Sequence, residues 1–130
     1  MTPALPAGLR MLIVEDEAMV AMMVEDTLVD LGCVIADIAS NVAKALRFLE
    51  ERPDSIDAAI LDVNLGGEKV FPVAEVLTLR GIPFVFATGY GRPGLEGRFD
   101  EAPVVQKPFR SEDIRRALTE ARSTGSGSST

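Results

Sequence analysis

Histidine is absent from this chain of 130 residues, and cysteine occurs only once. Without histidine there is no serine–histidine–aspartate triad, and a zinc site loses its commonest nitrogen ligand. The single thiol, Cys33, stands among apolar neighbours and reads as a buried side chain in a reducing cytoplasm. No apolar run approaches the roughly 20 residues that cross a bilayer, so no membrane association is expected. The opening MTPALPAGLR has no basic start followed by a long apolar stretch, and it does not read as a signal peptide. Positive charge is also scarce. Thirteen Lys and Arg face 20 Asp and Glu, for a formal net charge of -7, which argues against nucleic acid as a partner.

What is present fits one soluble globular domain: 47% hydrophobic residues, 25% charged, and enough chain for a single core. Five short apolar runs stand out at Met11–Val14, Val34–Ala36, Ala58–Leu61, Ile82–Ala87 and Val104–Val105. Runs of this kind suit strands covered on both faces, as in a parallel sheet. Helical spacing lies between them. Val20, Val24, Leu28 and Leu31 line one stripe, with Gly32 as its stop. Val42, Ala45, Leu46 and Leu49 line another behind a Ser40 N-cap. Val73, Val76 and Leu77 form a third, with Pro72 in its first turn and Gly81 at its end. Ile114, Ala117, Leu118 and Ala121 form the last. Strands alternating with helices predict a doubly wound α/β sheet. The expected layout is a leader over residues 1–8, the domain over 9–122 and a flexible tail over 123–130, where STGSGSST is coil by composition.

Gly89 to Gly94 spells G-x-G-x-x-G, the dinucleotide fingerprint. Here the motif follows the fourth strand, Pro93 and Gly97 interrupt any helix after it, and no acidic partner ends the next strand. It reads as a coincidence. The glycines instead predict that the helix before the fifth strand is short or frayed.

Chemistry gathers where strands end. Glu15 and Asp16 follow the first strand, Asp62 ends the third, Thr88 ends the fourth, and Lys107 follows the fifth. In an open α/β sheet those ends converge beside the ligand crevice. Taken singly, Asp16 could cap a helix, Asp62 shape a turn, Thr88 cap the next segment, and Lys107 and Glu15 be solvated surface groups. Together they place three carboxylates, a hydroxyl and an ammonium in one cleft. Such carboxylates repel unless a cation neutralises them, and oxygen ligands alone favour a hard ion such as Mg²⁺. A metal, an exposed Asp, a hydroxyl and a lysine suit phosphoryl transfer.

In these motifs the chain resembles a response-regulator receiver domain of a two-component system: VED at Val14–Asp16, LDVNL at Leu61–Leu65, AT at Ala87–Thr88 and KPF at Lys107–Phe109. The resemblance spans roughly Leu9 to Arg122. It implies a flavodoxin-like, five-stranded parallel sheet of order 2-1-3-4-5. It also implies that Asp62 accepts a phosphoryl group from a histidine kinase or phosphotransfer protein. Asp16, Asp62 and the Asn64 carbonyl would bind Mg²⁺, Glu15 would act through water, and Thr88 and Lys107 would hold phosphoryl oxygens. Such a domain is not a conventional enzyme, although it would phosphorylate itself from small donors and dephosphorylate itself. Two positions depart from the family pattern: Val104 stands where a switch aromatic often precedes the lysine, and Gly66 stands in place of a common proline. FATGY, Phe86 to Tyr90, resembles the FATGUY subgroup of single-domain receivers, which makes Tyr90 with Thr88 the candidate switch. The same resemblance points to a bacterial HWE-type kinase as partner.

Two other classes share parts of this pattern. A haloacid-dehalogenase-like phosphatase also uses a strand-end Asp with Mg²⁺, but its acid/base Asp would fall at Asn64, which cannot transfer a proton. A flavodoxin-like electron carrier needs a hydroxyl- and glycine-rich phosphate loop after the first strand, where this chain has Glu15 and Asp16.

Overall fold

Alternation along a doubly covered strand sends successive side chains to opposite faces, and the first strand shows it. In β1 (Arg10–Val14), Met11 and Ile13 join one buried cluster while Leu12 and Val14 join the other. The computed structural model describes residues 5–89, 95, 99 and 101–127. Within them, β2 (Val34–Ala39), β3 (Ala58–Asp62), β6 (Phe84–Thr88) and β7 (Val104–Gln106) complete a five-stranded sheet of order β2-β1-β3-β6-β7. All four pairings are parallel. This is the expected 2-1-3-4-5 order. The added labels come from a two-stranded antiparallel hairpin, β4 (Asn64–Leu65) and β5 (Glu68–Lys69), that comes after the third sheet strand.

The helices α1 (Ala18–Asp30) and α4 (Ser111–Gly127) cover one face, where Val24, Leu28, Ile114 and Leu118 pack with Met11, Ile13, Ile60 and Val85. The helices α2 (Val42–Glu51) and α3 (Phe71–Leu79) cover the other with Phe48, Leu49, Phe71 and Leu77. Burying a Leu- or Phe-sized side chain contributes about 1.5–3 kcal/mol, so these two layers hold the strand ends in register. Phe71, Phe84, Phe86 and Phe99 cluster along the first three residues of β6, with contacting ring centroids 5.3 to 6.4 Å apart.

Several details differ from the sequence reading. The cap of α2 is Asn41, not Ser40: Asn41 Oδ1 accepts from the Lys44 N–H at 2.8 Å. Ala21, Phe48 and Ala74 are buried, while Val20, Leu46 and Val76 lie at the margins of their stripes. The last helix runs on to Gly127, into the stretch read as coil from Ser123, because extending a formed helix adds one hydrogen bond per residue fixed. The expected short helix before the last strand falls mostly on residues outside those described. Pro72 does sit in the first turn of α3, and Gly32 and Gly81 follow α1 and α3 with φ of 92° and 69°. Among the described residues no helix is long and apolar enough to cross a membrane.

Candidate functional site

The strand ends meet at one edge of the sheet. The Glu15 N–H donates to the Ala39 carbonyl at 3.0 Å, carrying the β1–β2 ladder one residue past the strand and drawing Glu15 inward. Glu15 is 4% exposed, Asp62 7% and Thr88 1%, so all three are core residues, whereas Asp16 is exposed. Glu15, Asp16 and Asp62 each offer a carboxylate oxygen, and these oxygens lie within 4.8 Å of one another. Lys107 follows β7 and reaches over them: its Nζ donates to Glu15 Oε1 at 3.1 Å and stands 3.3 Å from Asp62 Oδ2. The Lys107 N–H donates to the Thr88 carbonyl at 2.9 Å, which joins the ends of β6 and β7. Thr88 itself lies one residue beyond Ala87, the register partner of Asp62.

Glu15 is therefore no surface carboxylate. Burial, then its hydrogen bond to Asp62 and that residue's charge, push its carboxyl up to about 7, against the pull of the Glu17 N–H and Lys107. The Glu17 N–H donates to Glu15 Oε2 at 3.2 Å. Burial pulls the Lys107 ammonium down, but Glu15 and Asp62 outweigh it and hold the group above its ordinary value. Nor does Asp16 cap α1, whose N-cap is Glu17 with no side-chain cap bond. A pocket of oxygen ligands that repel one another, with no nitrogen or sulfur donor among them, fits a small hard cation such as Mg²⁺.

No protein-family model matches the chain. It is 28% identical over 117 residues to the phyllosphere-induced regulator PhyR of Methylorubrum extorquens, covering 86% of this chain and 43% of that protein. The chain thus spans less than half the length of this curated relative. SdrG from Sphingomonas melonis Fr1 is similar over nearly its whole length: 48% identity, 90% of this chain, 98% of SdrG and a TM-score of 0.78. SdrG has also been solved in a BeF3-activated conformation. The REC domain of the Erythrobacter litoralis PhyR response regulator superposes with a TM-score of 0.77 at 26% identity, over 88% of this chain and 90% of that domain. The chain is a response-regulator receiver domain.

In this receiver the structure brings Glu15, Asp16, Asp62 and Lys107 into one cluster, and Thr88 ends the strand beside Asp62, one residue past its register partner. Asn64 is beside it, its N–H directed at Asp62 Oδ1 at 3.4 Å. Tyr90, the candidate switch aromatic, lies outside the described residues. Sequence reasoning missed one neighbour. Lys69 Nζ donates to Asn64 Oδ1 at 2.8 Å across the β4–β5 hairpin. The Gly66-Gly67 pair was the available signal, since such dipeptides favour two-residue hairpin turns.

Proposed function

We propose that this receiver takes a phosphoryl group onto Asp62 from a histidine of a partner kinase or phosphotransfer protein, and signals through protein–protein contact. The observation that carries the reading is the cluster itself: three carboxylates within 4.8 Å, with the Lys107 ammonium 3.3 Å from Asp62. An Asp62 carboxylate oxygen attacks phosphorus and forms the acyl-phosphate bond. The P–N bond to the donor imidazole breaks, and its electron pair stays on the nitrogen. Lys107 is already paired with Asp62 Oδ2 and offers its ammonium to the oxygens of the arriving group. The Thr88 hydroxyl, at the end of the neighbouring strand, is the candidate donor to another of these oxygens.

Asp16, Asp62 and the Asn64 carbonyl would hold Mg²⁺, with Glu15 contributing through water. Bound there, the ion would offset the carboxylate repulsion and neutralise charge on the phosphoryl oxygens. Water attack at phosphorus would later break the P–O bond to Asp62, releasing inorganic phosphate and returning Asp62 to its free carboxylate. The FATGY stretch supports membership of the FATGUY subgroup, with Thr88 and Tyr90 as the switch pair and an HWE-type kinase as the donor. Cytoplasmic residence agrees with a single, buried, unpaired Cys33. Phosphotransfer from purified histidine kinases, HWE-type first, tests the reading: transfer to wild type but not to Asp62→Ala is expected. Failure of every kinase and every small phosphodonor to label the protein would overturn it.

A further inference from the structure

We infer that Lys69 is a positioning residue for the metal pocket, acting through Asn64; this rests on the phosphoacceptor reading above. Gly66 and Gly67 have φ of 59° and 91°, a two-residue turn with both central residues left-handed. The hairpin register pairs Leu65 with Glu68 and Asn64 with Lys69, and the Val70 N–H donates to the Val63 carbonyl at 3.1 Å. Asn64 and Lys69 are thus a non-hydrogen-bonded pair, whose main-chain groups point away from each other and whose side chains come close. The outward edge of Asn64 faces the pocket. Its N–H is directed at Asp62 Oδ1, and the carbonyl of a strand residue points to the same edge as its N–H.

A side-chain contact across the hairpin braces this arrangement. Both residues are half-buried, and the 2.8 Å bond from Lys69 Nζ occupies Asn64 Oδ1, the other hard oxygen that Asn64 could turn towards a cation. The tip of the same hairpin comes near a second carboxylate: a Cβ at Gly66 would stand 3.5 Å from Asp16 Oδ2. Lys69 therefore pins a six-residue segment that borders Asp62 at its base and Asp16 at its tip. Groups that orient metal ligands in this way typically carry tenfold or larger effects on affinity. A purely electrostatic role for Lys69 has the opposite sign, because a nearby ammonium repels the cation and its removal tightens binding.

The test is the Mg²⁺ affinity of the full chain, read by titration calorimetry and by the Mg²⁺-dependent shift in thermal unfolding. Lys69→Met should weaken Mg²⁺ binding roughly tenfold, while Lys69→Arg, which keeps a charged donor, should stay near wild type. In an Asn64→Ala background, Lys69→Met should add little. Each variant's melt in chelator reports its folding separately from its affinity. Wild-type or tighter affinity in Lys69→Met, or an undiminished effect in the Asn64→Ala background, overturns the inference while leaving the phosphoacceptor reading intact. A wild-type protein that shows no Mg²⁺ response overturns the metal-dependent reading itself, and this inference with it.

Discussion

Glu15→Gln should make the metal-free protein more stable at mildly alkaline pH. The side chain is almost fully buried beside Asp62, and its carboxyl is pushed up from 4.5 to about 7. Because the folded-state value lies above the unfolded one, the stability linked to this group is fully present below about pH 4.5. It is lost as pH rises through about 7. The full shift would correspond to roughly 3 kcal/mol at about 1.4 kcal/mol per pH unit. The cluster opens to solvent on its Asp16 side, so a screened value of about 1–2 kcal/mol is expected. Gln preserves the shape and an acceptor for the Glu17 N–H. Urea unfolding in chelator should find Glu15→Gln close to wild type at about pH 5 and more stable by about 1–2 kcal/mol at about pH 8. Saturating Mg²⁺ should narrow the difference. If Glu15→Gln is less stable than wild type at the higher pH, or leaves the wild-type pH slope unchanged, the reasoning about the buried carboxylate is wrong.

Asp16→Asn removes a ligand and a repulsive charge together, so thermal melts should show a higher metal-free midpoint and a smaller Mg²⁺ shift. In wild type that shift is worth about 2.7 kcal/mol at a hundredfold excess over Kd. Lys107→Ala leaves Glu15 and Asp62 without their ammonium, and chemical unfolding in chelator should show a loss of about 1–3 kcal/mol. The Lys107 contribution is fully present below its ordinary pKa and is lost as pH rises past its raised value, so the loss should shrink in strong alkali. Asn41→Ala removes the α2 cap and should cost about 1 kcal/mol by the same assay, with Mg²⁺ affinity unchanged. Ser40→Ala should cost less.

The strand ends were legible because apolar runs stop abruptly at chemically unlike residues, Asp62 after AAIL and Thr88 after FVFA, and Lys107 stands two residues past the last run, VV. Topology then does the gathering, since parallel strands present their carboxyl ends at one edge. The burial of Glu15 was not legible, because it depends on Ala39 in the neighbouring strand and on Lys107, 92 positions away. The hairpin escaped for another reason: strands of two residues are too short to show a period. Ser40 and Asn41 are adjacent cap formers, and only the backbone shows that Asn41 holds the extended conformation and reaches the Lys44 N–H. Stripe margins were misjudged where small or aromatic residues, Ala21, Ala74 and Phe48, face inward in place of β-branched or leucine neighbours. Helix α4 outran its composition because elongation is cheap once a helix has formed.

Locating the phosphoryl group tests the account most directly. Incubating the protein with a small phosphodonor and Mg²⁺, then reducing the acyl phosphate with borohydride and mapping the product by mass spectrometry, reports which carboxylate was modified. The account predicts a single modified residue, Asp62, with labelling abolished in Asp62→Ala and dependent on Mg²⁺. Modification at Glu15 or Asp16 in the wild-type protein, or undiminished labelling of Asp62→Ala, would contradict it.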